Sequence, residues 1–312
     1  MNMANISFSF VMPAYKREFI KKAIDSILAQ TYQDFELIIV NDASPEDIGS
    51  VVSQYKNEKI RYEINEKNLG GTDLVRNWNH CVSFSRYDYV VLAADDDMFE
   101  PDFLKHAVQL IEKYPSVDLI RSGVRKIGTT EDTLEYEFPL PEYLSGAAFT
   151  YFWSKGFISC ISNYIFRKSA LLAMGGFVNF PHAHFSDDAT ALSMSKNGVA
   201  CIATPDFCFR VSTINLSNQN SVGLTLGQIE ATNMFADWLQ KVHLKSIEKS
   251  TDSKLYAGAS YFYFKRRYAY LIDVFISKLP LSKFWYIINI VRHSNHLYGK
   301  EKILAVLKYL IS

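Results

Sequence analysis

Net charge is the first thing this chain lacks: 33 lysines and arginines balance 33 aspartates and glutamates over 312 residues. With no positive field to offer, the sequence gives no support to a nucleic-acid partner. Glycine-rich phosphate loops are absent too. No G-x-G-x-x-G follows an apolar run and no G-x-x-x-x-G-K-[ST] occurs, which removes the standard dinucleotide-binding and P-loop readings. The four cysteines, Cys81, Cys160, Cys201 and Cys208, form no C-x-x-C pair, and no two histidines stand four apart. Zinc and dithiol chemistry therefore have no ligand set, and thiols among apolar neighbours act as small hydrophobes in a reducing compartment. No apolar run reaches the roughly 20 residues of a membrane span. The stretch MNMANISFSFVMPAYKRE has neither the charged start nor the apolar length of a secretory signal. A cytoplasmic location is expected.

What is present is apolar mass in a regular arrangement. Hydrophobic residues make up 48% and aromatic residues 14%, enough for a full core in one large domain with an appendage. ISFSFVMPAY is an apolar run stopped by proline, giving a strand over 7–12. In REFIKKAIDSILAQ, Phe19, Ile20, Ala23, Ile24, Ile27 and Leu28 share one helical face. FELIIVNDAS is a second strand, PEDIGSVVSQYK a helix, IRYEI a third strand, TDLVRNWNHCVSFS a helix and YDYVVLAA a fourth strand. PDFLKHAVQLIEKYP, VDLIRSGVRKI and ISNYIFRKSALLAMGGF continue the alternation, with a looser acidic stretch from Thr129 to Tyr143. DDATALSMSKNG reads as a helix closed by Gly198. This alternation predicts an α/β fold, a mostly parallel sheet flanked by helices. From Leu224 the pattern turns helical and aromatic. The expected organisation is an α/β domain over 1–220 and a helical extension over 221–312.

In such sheets ligands bind outside the carboxyl ends of the strands. Pro13-Ala14-Tyr15, Asn41-Asp42 and Asp95-Asp96-Asp97 all lie just past predicted strand ends, so they should converge on one edge. Three adjacent carboxylates repel one another, and VVLAADDDMFEPD contains no lysine or arginine. A divalent cation, a cationic partner brought in by the fold, or solvent must compensate them. Hard oxygen ligands suit magnesium or manganese, which meet substrate phosphates through one or two carboxylates and waters. Asp42 either binds a ligand or caps the helix after it. Asp187 and Asp188, beside Ser186, either cap their helix or supply a general base. A phosphatase with an aspartyl nucleophile fits poorly: its acid pair follows the first strand, with Thr or Val two residues on, where this chain has a later strand and Phe99.

Taken in order, VMPAYKRE, LIIVNDAS, NLGGTDLVRN, YVVLAADDDMFEPDFL, IFRKSALLAMGGF and FSDDATALSMSKNG resemble the inverting nucleotide-sugar glycosyltransferases of family 2, with the GT-A fold, over residues 6–215. The resemblance implies roles position by position. Pro13, Ala14 and Tyr15 would line the nucleotide pocket, and Asp42 would accept a hydrogen bond from the base. Asn68, Gly70 and Arg76 would lie beside the nucleotide. Counting back from Pro101, Asp96 takes the metal-binding place with Asp97 next to it, and Asp95 lies near the ribose. Asp187 corresponds to the catalytic base, with Ser186 where the family has glutamate. Two departures stand out. Ala94 occupies the first place of the family's Asp-x-Asp-Asp, which leaves the division among Asp95, Asp96 and Asp97 open. The Ser-Asp-Asp spelling also lets Asp188 stand for Asp187, and one helical step turns a side chain by about 100°.

The implied activity moves a hexose from a nucleoside-diphosphate sugar, uridine-linked, to a hydroxyl of a glycan or lipid-linked acceptor in surface polysaccharide synthesis, with Mn2+ or Mg2+ as cofactor. The alternative is an inactive nucleotide-sugar-binding subunit of a polysaccharide assembly, which Ala94 favours. In the tail, Lys265, Arg266, Arg267, Lys278, Lys283, Arg292, Lys300 and Lys302 stand among tyrosines, phenylalanines and Trp285. Basic aromatic helices bind membrane interfaces. Peripheral contact with the inner face of the plasma membrane is expected there, alongside a role as a helical cap.

Overall fold

Strands and helices alternate as the hydrophobic pattern requires. The computed structural model describes residues 6–212, 221–247, 252–297 and 299–311. In chain order it contains β1 (Phe8–Ala14), α1 (Ile20–Leu28), β2 (Phe35–Asn41), α2 (Ile48–Val52), β3 (Ile60–Ile64), α3 (Leu74–Ser83) and β4 (Tyr89–Leu92). Next come β5 (Met98–Phe99), α4 (Phe103–Lys113), β6 (Leu119–Ile127), β7 (Thr133–Tyr136), β8 (Tyr143–Leu144) and α5 (Gly146–Ser154). Then follow β9 (Tyr164–Arg167), α6 (Lys168–Ala173), α7 (Ser186–Met194) and β10 (Val199–Arg210). The remaining helices are α8 (Val222–Trp238), α9 (Leu244–Ile247), α10 (Ser253–Phe262), α11 (Tyr268–Ser277), α12 (Phe284–His293) and α13 (Gly299–Ile311).

Two compact units divide the chain. The first comprises Met1–Gly146, Ile158–Asn179 and Thr190–Ser212; the second comprises Ala147–Phe157, Phe180–Ala189 and Thr213–Ser312. The boundary expected at residue 220 lies outside the described residues. In the first unit the sheet runs β3-β2-β1-β4-β9-β6-β10-β5, with β7 against β6 and β8 against β10. Strands β3, β2, β1 and β4 are mutually parallel, as are β6 and β10, whereas β9 enters antiparallel to both β4 and β6. Short apolar runs read the same in either direction, so periodicity alone does not reveal β9's reversal. Pairing of Ala14 with Asn41 and of Val11 with Leu92 puts the carboxyl ends of β2, β1 and β4 on one edge.

Local chemistry explains the elements. The α1 face predicted from its spacing is the face that is buried, through Ile20, Ala23, Ile24 and Ile27. Asp47 caps α2 by accepting the Ser50 N–H at 3.0 Å, and Asp73 caps α3 by accepting that of Arg76 at 2.9 Å. After α7 a short 3-10 turn ends at Gly198, whose φ of +88° suits a residue without a side chain. Phe10 packs edge-on against Phe35 and Phe99 in the core beneath β1; each such burial contributes about 1.5–3 kcal/mol. The acidic stretch after Thr129 is less loose than its composition suggests. It holds β7, and Glu137, its side chain 7% exposed, accepts bonds from Arg121 Nη2 at 2.7 and 2.8 Å and from the Ile158 N–H at 2.8 Å. Strand β10 has no counterpart in the sequence reading, because Thr204-Pro205-Asp206 interrupts it and its register with β6 shifts between Ile202 and Phe207.

The second unit is helical and aromatic. Phe235 of α8 stacks on Phe185 at 4.4 Å and packs against Trp153, Tyr263 and Trp238. Two π-helical turns, Leu239–His243 and Tyr263–Arg267, interrupt its helices. No described helix is long and apolar enough to cross a membrane.

Candidate active site

Three strand ends build the site of the first unit. Where β1 stops, the backbone N–H groups of Tyr15 and Lys16 both donate to Asp95 Oδ2 at 2.8 Å. The segment after β4 is thereby tied to the segment after β1, as the convergence argument requires. Tyr15 is exposed, Pro13 half-buried and Ala14 buried. Ala94, in the place of the family's first aspartate, donates its N–H to Ser162 Oγ at 3.1 Å.

Asp42 is neither a helix cap nor a free carboxylate. It is 3% exposed. Its Oδ1 accepts from Asn65 Nδ2 at 2.7 Å and the Leu69 N–H at 2.8 Å; its Oδ2 accepts from the Gly70 N–H at 2.8 Å and Asn77 Nδ2 at 3.1 Å. Those donors fill the acceptor capacity of one carboxylate. Asp42 therefore latches the loop that carries Asn68 and Gly70 and, through Asn77, the helix α3 that carries Arg76. Gly70 is required by this approach, since a Cβ there would sit 2.9 Å from Asp42 Oδ2. Asn68 closes its own turn through Oδ1 to the Gly71 N–H at 2.6 Å, and the Arg76 side chain is exposed. Asn65 and Asn77, the side-chain donors to Asp42, escaped the sequence reading. Their one signal was an asparagine just past a strand, in INEKN.

The aspartate triplet has a cationic neighbour that the fold supplies. Arg210, at the end of β10, is 0% exposed. Its backbone N–H donates to Asp97 Oδ1 at 2.9 Å, and its guanidinium donates to the carbonyls of Asp96 at 2.8 Å and Gly128 at 3.0 Å while lying over the Phe19 ring. Even so, all three carboxyls are pushed above the usual range. Burial and the Asp96 charge raise Asp95 to about 6, against the opposing N–H bonds. Burial raises Asp96 against Lys16 and Arg210, and burial together with Asp96 raises Asp97. The three carboxylates offer the hard oxygen chemistry that suits Mn2+ or Mg2+, yet among the described residues no group of three or more His, Cys, Asp or Glu side chains is arranged to hold a metal ion.

Asp187 and Asp188 belong to the second unit, in the first turn of α7. Asp188 is buried and accepts Trp153 Nε1–H at 2.7 Å. Its own N–H donates to Asp187 Oδ1 at 2.8 Å, while Ser186 Oγ accepts the Phe180 N–H at 3.0 Å. The two aspartates are thus distinct: Asp188 is committed to an indole and Asp187 is half-buried. Burial and the Asp188 charge push Asp187 up to about 8. The backbone entering this turn is strained, with φ of +56° at His182, +55° at Ala183 and +69° at Phe185. Such conformations cost on the order of 1–3 kcal/mol each and cluster at functional sites.

Known proteins share this architecture. S. aureus TarS 1-349, solved with UDP-GlcNAc, superposes with a TM-score of 0.60 over 97% of this chain and 89% of its own, at 13% identity. The Pyrobaculum calidifontis mannosyltransferase PcManGT, solved with GDP-Man and Mn2+, superposes at 0.54 over 97% of this chain and 84% of its own, at 16% identity. These likenesses establish the fold. In sequence, the amylovoran biosynthesis glycosyltransferase AmsB of Erwinia amylovora is 31% identical over 159 residues, covering 44% of this chain and 52% of that protein. The chain spans about half or less of the length of the curated relatives it matches. The sequence profile of glycosyl transferase family 2 matches residues 9–173, more than half of the chain; the chain belongs to glycosyl transferase family 2.

Proposed function

We propose that this chain transfers a hexose from a uridine-diphosphate sugar to a hydroxyl of a glycan or lipid-linked acceptor, with inversion, in surface polysaccharide synthesis. The observation that carries this reading is the meeting of the β1 and β4 ends, where Tyr15 and Lys16 N–H groups hold Asp95 beside two further carboxylates. Relatives named for glycosyl transfer in amylovoran synthesis, and structural neighbours holding UDP-GlcNAc or GDP-Man with Mn2+, support the donor class and the cation. Pro13, Ala14, Tyr15, Asn68, Gly70 and Arg76 line the nucleotide, and Asp42 holds the loop of Asn68 and Gly70. Asp95 sits toward the ribose, and Asp96 and Asp97 would hold the metal ion. When bound, Mn2+ or Mg2+ supplies Lewis-acid neutralisation of the charge that develops on the leaving diphosphate.

Asp187 removes the proton from the acceptor hydroxyl, while Asp188, held by Trp153, does not. A base whose pKa lies near the working pH is suited to general-base catalysis, and burial brings Asp187 there. The hydroxyl oxygen attacks the anomeric carbon, the bond to the diphosphate breaks on the opposite face, and the proton ends on Asp187. One displacement inverts the centre.

The tail favours a membrane-linked acceptor. On α13, Ile303, Leu304, Leu307 and Leu310 are exposed together, and Trp285 on α12 is 79% exposed; Lys300 lies at the start of the same helix. Apolar and aromatic residues beside lysines suit the anionic cytoplasmic leaflet. Ala94 favours one second reading, a binding subunit without activity. The deciding experiment incubates the chain with UDP-sugars and Mn2+ and follows UDP release. Release by the parent chain that is lost in Asp96→Ala and Asp187→Asn is expected, with UDP affinity by calorimetry falling only in Asp96→Ala. A parent chain that binds UDP but releases none from any UDP-hexose would leave the binding-subunit reading standing.

A further inference from the structure

The proposed base stands at one end of a chain of hydrogen bonds that ends in the tail. Asp187 Oδ1 accepts the Asp188 N–H, Asp188 Oδ1 accepts the Trp153 indole N–H at 2.7 Å, and the Trp153 carbonyl accepts Arg267 Nη1–H at 3.2 Å. The same guanidinium lies over the Trp153 ring, 4.7 Å from its centre, and 5.9 Å from that of Phe185. Tyr263, four residues before Arg267, stacks on Trp153 at 5.4 Å. A π-helical turn over Tyr263–Arg267 carries both contacts. Such turns insert an extra residue per turn, an irregularity common at functional sites. Among the described residues Arg267 has no carboxylate within ion-pair distance, so its charge acts on the aspartates across the ring.

We propose that Arg267 and Trp153 are positioning residues for the base: Trp153 fixes Asp188, and Arg267 fixes Trp153 and keeps Asp187 ionisable. This rests on Asp187 being the base. Among the described residues the charged and titratable groups around it are these. Asp188 comes from the same helix, Arg267 and Tyr263 from the π-helical turn, and His182 and His184 from the loop before α7. Burial first, and then Arg267, hold His184 down at about 4, so it is neutral at working pH. Burial holds the Tyr263 phenol well above its usual value, so it is neutral as well. Arg267 is then the cation that opposes the repulsion between the two carboxylates. A helical cap without this role would need no cation over the tryptophan.

The test is a carbon-13 NMR titration of the full chain labelled at aspartate carboxyls, with Asp187→Asn assigning the Asp187 signal. Replacing a nearby cation with a neutral chain shifts a carboxyl by about one unit. Arg267→Met should therefore raise the Asp187 midpoint by about one unit, and Arg267→Lys should restore most of it. Because one unit is about tenfold in the ionised fraction, UDP release at pH 7 should fall about tenfold in Arg267→Met with UDP affinity unchanged. Trp153→Phe, which keeps the ring but not the N–H, should move the Asp188 signal. Unmoved Asp187 midpoints in Arg267→Met, checked for folding by thermal melt, overturn the proposal. Should Arg267→Met not fold, an unmoved Asp188 signal in Trp153→Phe overturns it instead. Full activity of Asp187→Asn would remove the base assignment itself, whatever the titrations show.

Discussion

Asp42 separates two ways for a carboxylate to serve a nucleotide site. It can touch the nucleotide, or it can hold the loop that does. Four donors from residues 65–77 converge on its two oxygens at 2.7–3.1 Å. Asp42→Asn keeps the volume but presents an NH2 group where one oxygen stood. Whichever way the amide turns, two of the four donors face another donor. A hydrogen bond to a charged group is worth about 1.5–3 kcal/mol net, so losing two lowers stability by about 3–6 kcal/mol. The expected result is a large fall in the urea midpoint together with weaker UDP binding by calorimetry, because Asn68 and Gly70 sit on the released loop and Arg76 on the helix that follows it. Asn65→Ala, which removes one donor and leaves the carboxylate intact, should show the same pair of effects at smaller size. An Asp42→Asn chain with the parent's urea midpoint but no UDP affinity would refute the reasoning. The carboxylate would then act on the nucleotide itself.

Other perturbations test separate parts of the structure. Glu137→Ala leaves the buried Arg121 guanidinium without its carboxylate; breaking such a pair costs about 3–5 kcal/mol, and an unchanged thermal midpoint would contradict it. Asp187, pushed up to about 8, keeps its proton in the folded chain over a window in which the unfolded chain has lost it, above about 3.9. Its contribution to stability therefore falls as pH rises from about 4 to 8. Urea midpoints at several pH values should decline less in Asp187→Asn than in the parent, and identical slopes would refute the raised pKa. Leu304→Glu with Leu307→Glu should abolish flotation of the full chain with vesicles containing anionic lipid while sparing UDP binding. Equal flotation of parent and variant would place the apolar face elsewhere than on a membrane.

The sequence was legible where one strand or helix carries its own evidence. LIIV and YVVL are apolar because both faces of the sheet are covered, and a polar group after such a run falls at the sheet edge without further information. That suffices to bring Tyr15, Asp42 and Asp95 to one edge. It does not say what they touch. Asp42 is satisfied by donors from a loop more than twenty residues on, and the cation beside the aspartates is Arg210, 113 residues from the Asp97 it serves. Periodicity is local, and bonds between distant segments leave no periodic trace. Arg210 was doubly hidden, since Pro205 and the register shift in β10 break the run that would have marked a strand.

The proposed choice between Asp187 and Asp188 rests on a single contact that no spacing encodes. An indole N–H at 2.7 Å engages Asp188, and the like charge it fixes beside Asp187 raises the pKa of Asp187. The same logic accounts for the triplet. Asp95 and Asp97 are each held by main-chain N–H groups of distant segments, from Tyr15 and Lys16 in one case and from Arg210 in the other. Asp96, between them, is opposed by burial and favoured by Lys16 and Arg210. The flanking carboxylates of the triplet hold backbone and Asp188 holds an indole, and the function proposed above gives the chemistry to Asp96 and Asp187. Substituting an occupied neighbour should therefore cost stability first, and substituting the remaining carboxylate should cost function first.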